Sequence, residues 1–566
     1  MSRIIGIDLG TTNTAAAFMD GETARMVPND RGKNLTPSMV ALTEAGELLV
    51  GEAAKNQAIV NAEGTVSSIK RLIGRDTVIK LRNRSYSPQE ISAEILKKVR
   101  RDCEAYMGED LRDVVISVPA YFNELQRKAT QEAGRLAGLR VHRIINEPTA
   151  ASLAYASQIK SRKNILVYDI GGGTFDATVL TSDGTDFQVL ATNGDNQLGG
   201  IDFDALLFER VAREFSRQAG FNVGEDAFLR QQLFEQVERA KIELSERSTA
   251  AIALPFIDVN RKPIHLHYSV ERKEFNELIY PLIEKTINLS REAVHDAGAK
   301  IDTLIFSGGS SRIPLISSLM NELLQVQPQA KINPDEVVAL GTAVQAGLLS
   351  TAHAAGGLGR RHSLKDVIPL PLGVEIEGGK FQTIVRKNTP LPAEEKQLFT
   401  TVVDGQQCVA VHVLQGVSRK ARENVSLGRF LLSGIRKMER GAAKIEVLFK
   451  IDLDGLLKVV ARDVDTGREK NVTIDRESKA AMAMSAHEHM DKLENLIRRT
   501  ETLIQMVPEE TTRDFVQEAE TILSSARVAL ERGDEDMAVQ YEVALEAVLT
   551  EIHELLKEQE VQVGRA

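Results

Sequence analysis

The chain twice runs a short apolar segment into an aspartate, then into glycine and threonine, then back into apolar residues: GIDLGTTNTA at Gly6 to Ala15 and YDIGGGTFDA at Tyr168 to Ala177. Each reads as a buried strand, Ile4 to Ile7 and Ile165 to Tyr168, that turns tightly into a second strand. Glycines at such a turn let backbone N–H groups approach a phosphate with no Cβ in the way, while Thr11, Thr12 and Thr174 add hydroxyl donors. Asp8 and Asp169 are then expected to face one another across a cleft, where two carboxylates near a polyphosphate suit Mg2+ held through its waters. Either turn alone is an ordinary hairpin signal; the duplication makes a two-sided phosphate cleft the expectation.

A third glycine cluster, LIFSGGSSRIP at Leu304 to Pro314, again ends an apolar run. Gly308, Gly309 and Ser310 can pass close to a nucleoside there, and Arg312 offers a planar guanidinium able to stack on a base. Asn333-Pro334-Asp335-Glu336 reads as a helix start, with Asn as N-cap, Pro at N1 and Glu at N3.

Composition limits what surrounds this cleft. With 566 residues, 43% hydrophobic and 27% charged, the chain has room for several cores. A formal charge of −10 argues against general nucleic-acid affinity. Cys103 and Cys408 make neither a disulfide framework nor a CxxC metal pair, which fits a reducing compartment. No apolar run is long enough for a membrane helix and the first residues do not read as a targeting segment, so the expectation is a cytoplasmic protein with no membrane or nucleic-acid partner. Short apolar runs alternate with helical patterns over residues 1–353, as an α/β core requires. Residues 354–366 begin with AAGGLGRRHSLK from Ala354, which is linker chemistry. Over 367–475 β-branched residues recur between turn signals: Val409, Val411 and Val413 alternate, and Asp404-Gly405 and Asp454-Gly455 mark reversals, so this block reads as all-β. Over 476–566 the apolar residues fall at helical spacing in three groups, around Leu493, Leu496 and Ile497, around Phe515, Ala519, Ile522 and Leu523, and around Leu545, Val548, Leu549, Ile552 and Leu556.

These motifs, with VPAYFN (Val118 to Asn123), INEPTAA (Ile145 to Ala151), NGDNQLGGIDFD (Asn193 to Asp204), IKRLIGR (Ile69 to Arg75), ERAKIELS (Glu238 to Ser245), VLQG (Val413 to Gly416) and SLGRF (Ser426 to Phe430), come in one order. In that order the sequence resembles the seventy-kilodalton heat-shock chaperones of the DnaK type, from about Arg3 to Ile474 by motif and beyond by position and composition, and among them the short bacterial HscC-like branch. The resemblance implies a duplicated actin-like α/β ATPase domain, then an all-β sandwich that binds peptide, then a C-terminal α-helical lid. It implies binding of ATP or ADP with Mg2+, K+ as a further ion, and a stress-response setting. The implied partners are extended segments of client proteins, a J-domain co-chaperone and an exchange factor of uncertain type.

Site roles follow from that resemblance. Gly10, Thr11, Thr12 and Asn13 match the first phosphate loop with Asp8, Gly171, Gly172, Gly173 and Thr174 match the second, and Gly199 and Gly200 match a further nucleotide contact. Glu238, Lys241, Ser245, Gly308, Gly309, Ser310, Arg312 and Asp335 match the adenosine pocket. Lys70 matches the lysine beside the transferred phosphate, with Glu147, Asp169, Asp176, Asp8 and Thr174 completing the catalytic group and Asp8 and Asp169 serving the metal. Pro119, Arg127 and Asp366 match positions that couple nucleotide state to the next domain, and Leu372, Val374, Glu377, Phe399, Val402, Val409 and Val411 match the peptide groove.

Elementary chemistry supports the same set. Transfer of a phosphoryl group to water needs charge neutralised on the phosphate oxygens and a water held in line, which a lysine, Mg2+, loop N–H groups and carboxylates provide. The plain alternative for Lys70 is an exposed lysine among Arg71 and Arg75, and for Glu147 a helix-start acid ahead of Pro148. None of the ten histidines sits in a nucleophilic motif, and His265-Leu-His267 and His487-Glu-His489 read as solvated surface residues. Three features depart from most relatives. Glu377 puts a carboxylate where an apolar side chain arches over the peptide, with Val402 opposite, which predicts a preference for basic flanks. His362-Ser363-Leu364-Lys365-Asp366 replaces a leucine-rich connector, which predicts weak coupling, and the stretch from Arg75 to Ser85 is short. A small-metabolite kinase and an ATP-dependent filament protein share the duplicated cleft and are the alternatives; neither accounts for a β block followed by helices.

Overall fold

The structure is a computed structural model that describes residues 3–354, 363–473 and 486–552, apart from 160, 223–224, 260–261, 330, 403, 407, 506, 508–512, 533–537 and scattered positions between 539 and 551. The linker segment 355–362 and the chain beyond 552 lie outside the described residues. The chain divides into two compact units: Met1–Leu370 with Lys387–Leu391 and Leu453–Leu456, and Pro371–Arg386 with Pro392–Asp452 and Leu457–Ala566.

The first unit contains one design twice. In its first half, β1 (Ile4–Leu9), β2 (Asn13–Asp20) and β3 (Thr23–Val27) form an antiparallel meander, and β4 (Asp113–Val118) and β5 (Arg140–Asn146) add in parallel on the far side of β1, giving the order β5-β4-β1-β2-β3. In its second half, β6 (Lys163–Ile170), β7 (Phe175–Ser182) and β8 (Asp186–Asp195) make the meander, and β9 (Thr303–Ser307) and β10 (Pro328–Gln329) add in parallel on β6, giving β10-β9-β6-β7-β8. Strands β1, β4, β6 and β7 are buried along almost their whole length, as strands covered on both faces must be.

The helices that matter for the site start where the sequence supplies caps or glycines. Helix α1 (Pro88–Met107) opens on a capping box between Ser87 and Glu90, and α2 (Glu124–Leu136) on one between Asn123 and Gln126. Helix α3 (Glu147–Ala154) follows β5 directly, α4 (Gly200–Ala219) starts within the Gly199-Gly200 pair with Gly199 as its N-cap, and α5 (Ala227–Glu246) is capped by Asp226. Helices α6 (Arg272–Ala297), α7 (Pro314–Leu324) and α8 (Val337–Ala354) complete the unit. Small residues bring α3 and α8 together: a Cβ at Gly341 would collide with the Ala150 backbone carbonyl, and Ala150, Ala151, Val337, Val338 and Ala346 share one core. The helix expected from Asn333 begins at Val337, because residues 334–336 form a turn in which Asn333 accepts from the Asp335 amide.

Part of the polar connector is structured. Ser363–Lys365 forms β11, which pairs in parallel with β8 through Asp186↔Ser363 to Gln188↔Lys365.

The second unit holds two four-stranded antiparallel sheets. One has the order β13-β12-β15-β16, from β12 (Leu372–Ile376), β13 (Lys380–Val385), β15 (Cys408–Gln415) and β16 (Val425–Ser433). The other runs β14 (Ala393–Phe399), β17 (Ile445–Ile451), β18 (Leu457–Asp463) and β19 (Glu469–Thr473). Alternate residues of β17, namely Ile445, Val447, Phe449 and Ile451, are buried, the period-two pattern of a strand with one face on a core. Gly405 and Gly455 both take positive φ, as the predicted reversals require. Beyond the sheets, α9 (Ala486–Ile504) and α10 (Arg513–Arg532) pack Leu493, Leu496, Ile497, Leu523 and Ala526 with Leu545 and Leu549 of the last group, while Ala519, Val548 and Ile552 share a second cluster; Leu556 lies outside the described residues. No helix among the described residues is long and apolar enough to cross a membrane.

Candidate functional site

The two quoted turns face each other. A Cβ at Gly172 would run into the Thr12 side chain and one at Gly173 into Thr11, so the loop between β1 and β2 and the loop between β6 and β7 meet with no room for larger residues. The first loop is clamped from behind by Ser38, whose hydroxyl donates to the Gly10 carbonyl at 2.8 Å and whose amide donates to the Thr12 carbonyl at 2.8 Å. The second loop is held by its carbonyls. Gly171 O accepts from the Gly200 amide (3.0 Å) and the Ser310 hydroxyl (2.9 Å), and Gly172 O accepts from the Ile201 amide (2.9 Å). A trans peptide points its N–H opposite to its C=O, so tying these carbonyls back aims the following amides the other way.

The acids occupy matching positions. Asp8 is in register with Ser117 on β4, and Asp169 with Ser307 on β9, so the duplication extends to a serine beside each aspartate. The Ser117 hydroxyl donates to Asp8 Oδ1 at 2.9 Å. Asp176, one strand over, accepts from the amides of Ala120 (3.2 Å) and Tyr121 (3.0 Å), the segment just after Pro119. Lys70 forms an ion pair with Glu147; the two are 4% and 7% exposed, which rules out the surface-lysine alternative, and Glu147 is at the same time the first residue of α3. Burial, then the charge of Glu147, pushes the carboxyls of Asp8 and Asp176 up to about 7 and that of Asp169 well above the usual carboxylate range. Asp169 Oδ2 is buried with no hydrogen-bond partner. Four carboxyls, Asp8, Glu147, Asp169 and Asp176, around the single charge of Lys70, with an orphaned oxygen, fit a cation, and among the described residues no set of three or more His, Cys, Asp or Glu would hold one directly. That combination suits Mg2+ carried chiefly by waters and phosphate oxygens. Asn13 opens β2 beside these groups, and Thr174 is buried at the start of β7.

The residues expected around a nucleoside also converge. Lys241 on α5 bonds Asp204 Oδ2 at 2.6 Å and the Gly200 carbonyl at 3.3 Å, and Ser245 follows one turn later. Glu238, on the same helix, lies 3.9 Å from Lys55. Gly308, at φ 78°, sits where a Cβ would strike the Ile170 carbonyl, and Gly309 sits against Asp335. Arg312 is half exposed, its guanidinium held in plane by Asp335 (2.9 Å) and Asn333 (2.5 Å).

Arg127 and Asp366 meet at the end of β5. Arg127 is buried and donates to Asn146 Oδ1 (2.6 Å) and to the carbonyls of Ala120 and Phe122 (3.2 and 3.3 Å). Asp366 accepts from the Thr149 hydroxyl at 3.0 Å; burial raises its carboxyl, and the Arg127 charge opposes that. Ser38, Ser117 and Arg71 were not singled out from the sequence. The serine in VISVPA had a signal, since it occupies the place of the serine in LIFSGG.

A family model described as Hsp70 protein matches residues 4–565. The chain belongs to the Hsp70 family. It is an ATP-dependent chaperone, and the match gives no reason to prefer the kinase or filament reading. ATPase activity, binding of ATP or ADP with Mg2+, and binding of unfolded client segments and co-chaperones come to this Hsp70 with its family.

In the second unit the positions matched to the peptide groove separate by burial. Leu372, Val374 and Val411 are buried, Phe399 and Val409 are half-buried, and Val402 and Glu377 are exposed. The Glu377 carboxylate lies 3.6 Å from Arg440. The sequence showed no serine–histidine–acid motif, yet the fold makes such a row. His412 on β15 contacts Glu375 on β12 through Nδ1 (2.5 Å) and Ser426 on β16 through Nε2 (2.7 Å), and Arg429 pairs with the same Glu375. The row joins three adjacent strands, and Glu375 is held below the usual carboxylate range chiefly by the His412 bond.

Proposed function

We propose that the first unit hydrolyses ATP between the two facing loops and that this turnover governs peptide binding by the second unit. Mg2+, when bound, would neutralise charge on the phosphates beside Asp8 and Asp169. The chain's own residues do the rest. Amides of the two loops receive phosphate oxygens, Lys70 brings a point charge to the transferred group, and Glu147, Asp169 and Asp176 orient the attacking water. Glu238, Lys241, Ser245, Gly309, Ser310 and Arg312 receive the adenosine. The observation that carries this reading is the pair of Asp-Gly-Thr loops in contact through Thr11, Thr12, Gly172 and Gly173, above an aspartate whose buried oxygen has no partner.

For the peptide, Phe399, Val402 and Val409 supply apolar surface over a floor of Leu372, Val374 and Val411, and the segments around α9 and α10 act as the lid. The pairing of Glu377 with Arg440 narrows the expected preference for basic flanks, because the carboxylate is already shared. The short stretch from Arg75 to Ser85 and the polar connector fit the HscC-like branch; the J-domain partner is carried over from the family, and the cytoplasmic setting from a chain with only two cysteines, Cys103 and Cys408. The test is the release rate of a fluorescent apolar peptide, with and without basic flanks, in ATP and in ADP. Slower release in ADP supports the reading; equal rates in the two nucleotides contradict it.

A further inference from the structure

Three successive carbonyls of the second phosphate loop are tied back, and the third is held from the opposite half of the cleft. Gly171 O and Gly172 O are bonded by groups of the second half, at Ser310, Gly200 and Ile201. Gly173 O accepts from Nε of Arg71 at 3.0 Å, across a sequence separation of 102 residues. Arg71 belongs to the short turn Ile69–Arg71, next to Lys70 in the first half. Its two terminal nitrogens grip Asp202 in the first turn of α4, Nη1 to Oδ1 at 3.0 Å and Nη2 to Oδ2. Asp202 Oδ2 also accepts from the Gly199 amide at 2.8 Å, which fixes the start of α4. The Arg71 backbone carbonyl accepts from Gln197 at 3.4 Å. The guanidinium is partly buried, 15% exposed against 29% for its partner, so water competes poorly for these bonds.

We propose that Arg71 is the positioning residue of this cleft: a three-donor strap that sets the Gly173 peptide plane and locks the two halves together around bound nucleotide. By holding the Gly173 carbonyl, Arg71 aims the Thr174 amide toward the phosphate side, completing the row begun by the amides of Gly172 and Gly173. By gripping Asp202, it must let go before the halves separate, so its rupture sets how fast nucleotide leaves. The fork geometry is what the role needs. A lysine keeps the charge but cannot bond Gly173 O and both Asp202 oxygens in one plane. The proposal rests on the ATPase reading above.

The test measures release of a fluorescent ADP in Mg2+, by displacement with excess ATP, for wild type, Arg71→Ala, Arg71→Lys and Asp202→Asn, with single-turnover hydrolysis alongside. Arg75→Ala is the control for loss of a nearby positive charge, and thermal melts by circular dichroism establish that each variant is folded. The expected result is about tenfold faster release in Arg71→Ala, the order for losing a partly buried bidentate pair. Arg71→Lys should resemble Arg71→Ala, Asp202→Asn should fall between, and Arg75→Ala should match wild type. Unchanged release in Arg71→Ala, or a wild-type rate in Arg71→Lys, overturns the strap. Should wild type itself fail to retain ADP in Mg2+, the ATPase reading falls first and the strap with it.

Discussion

Asp8 shows how a binding site sacrifices stability. Its carboxyl titrates near 7 in the folded chain against an ordinary 3.8, because burial and the Glu147 charge disfavour the ionised form. For an acid raised on folding, the native state holds the proton that the unfolded chain has lost, so the stability it contributes is full below the unfolded value and disappears as pH climbs through about 7. Asp8→Asn keeps an acceptor for Ser117 and removes the charge. The nucleotide-free variant is expected to melt a few degrees above wild type at pH 8, the order that about 1–2 kcal/mol produces, with a smaller gap at pH 5, which lies between the unfolded value of 3.8 and the folded value of about 7. Scanning calorimetry at the two pH values checks this; equal melting at pH 8 contradicts the assigned strain. Lys70→Ala acts differently, leaving Glu147 buried without its cation. Single-turnover hydrolysis should fall by about a hundredfold or more while ADP affinity changes little. At this scale much of the site was legible, since Asp8, Asp169 and both threonine-bearing loops are written as a repeat. Arg71 was not, because its partners lie 102 and 131 residues away and only the fold brings them to it.

Elements follow sequence pattern where periodicity is strong and depart from it where register decides. The strand–turn–strand repeats, the alternating valines and the helical spacing of the tail were all readable. The row from Glu375 through His412 to Ser426 was hidden, because it depends on how three strands pair and on the register shift between Val413 and Leu414. Removing the imidazole by His412→Ala deletes its bonds to Glu375 and Ser426 and leaves Arg429 paired with Glu375. A loss of about 1–2 kcal/mol in the second unit is expected. Urea unfolding reports it, and a change below about 0.5 kcal/mol would show the row to be idle. Between α3 and α8 the constraint is steric. Gly341→Val would drive a branched side chain into the Ala150 carbonyl and should cost about 1–3 kcal/mol in the first unit, read by the same unfolding experiment.

For the whole molecule, the proposed function makes the connector the element through which peptide binding and ATP turnover communicate. Ser363–Lys365 pairs with β8 and Asp366 bonds Thr149 next to the Arg127 cluster, so the connector enters the first unit through polar and backbone contacts. A leucine-rich connector would bury more apolar area per residue, and the polar version should transmit less. Saturating peptide is therefore expected to raise steady-state ATP turnover by no more than about twofold; a rise of tenfold would refute weak coupling. All of this stands on nucleotide bound between the duplicated aspartate loops. Calorimetric titration of ATP into wild type and into Asp8→Asn/Asp169→Asn, with Mg2+ and with chelator, tests that most directly. Tight binding by wild type that needs Mg2+, with no difference between Mg2+ and chelator in the double variant, is the predicted result. Binding that ignores Mg2+ in wild type, or that keeps its full Mg2+ dependence without the two aspartates, would contradict it.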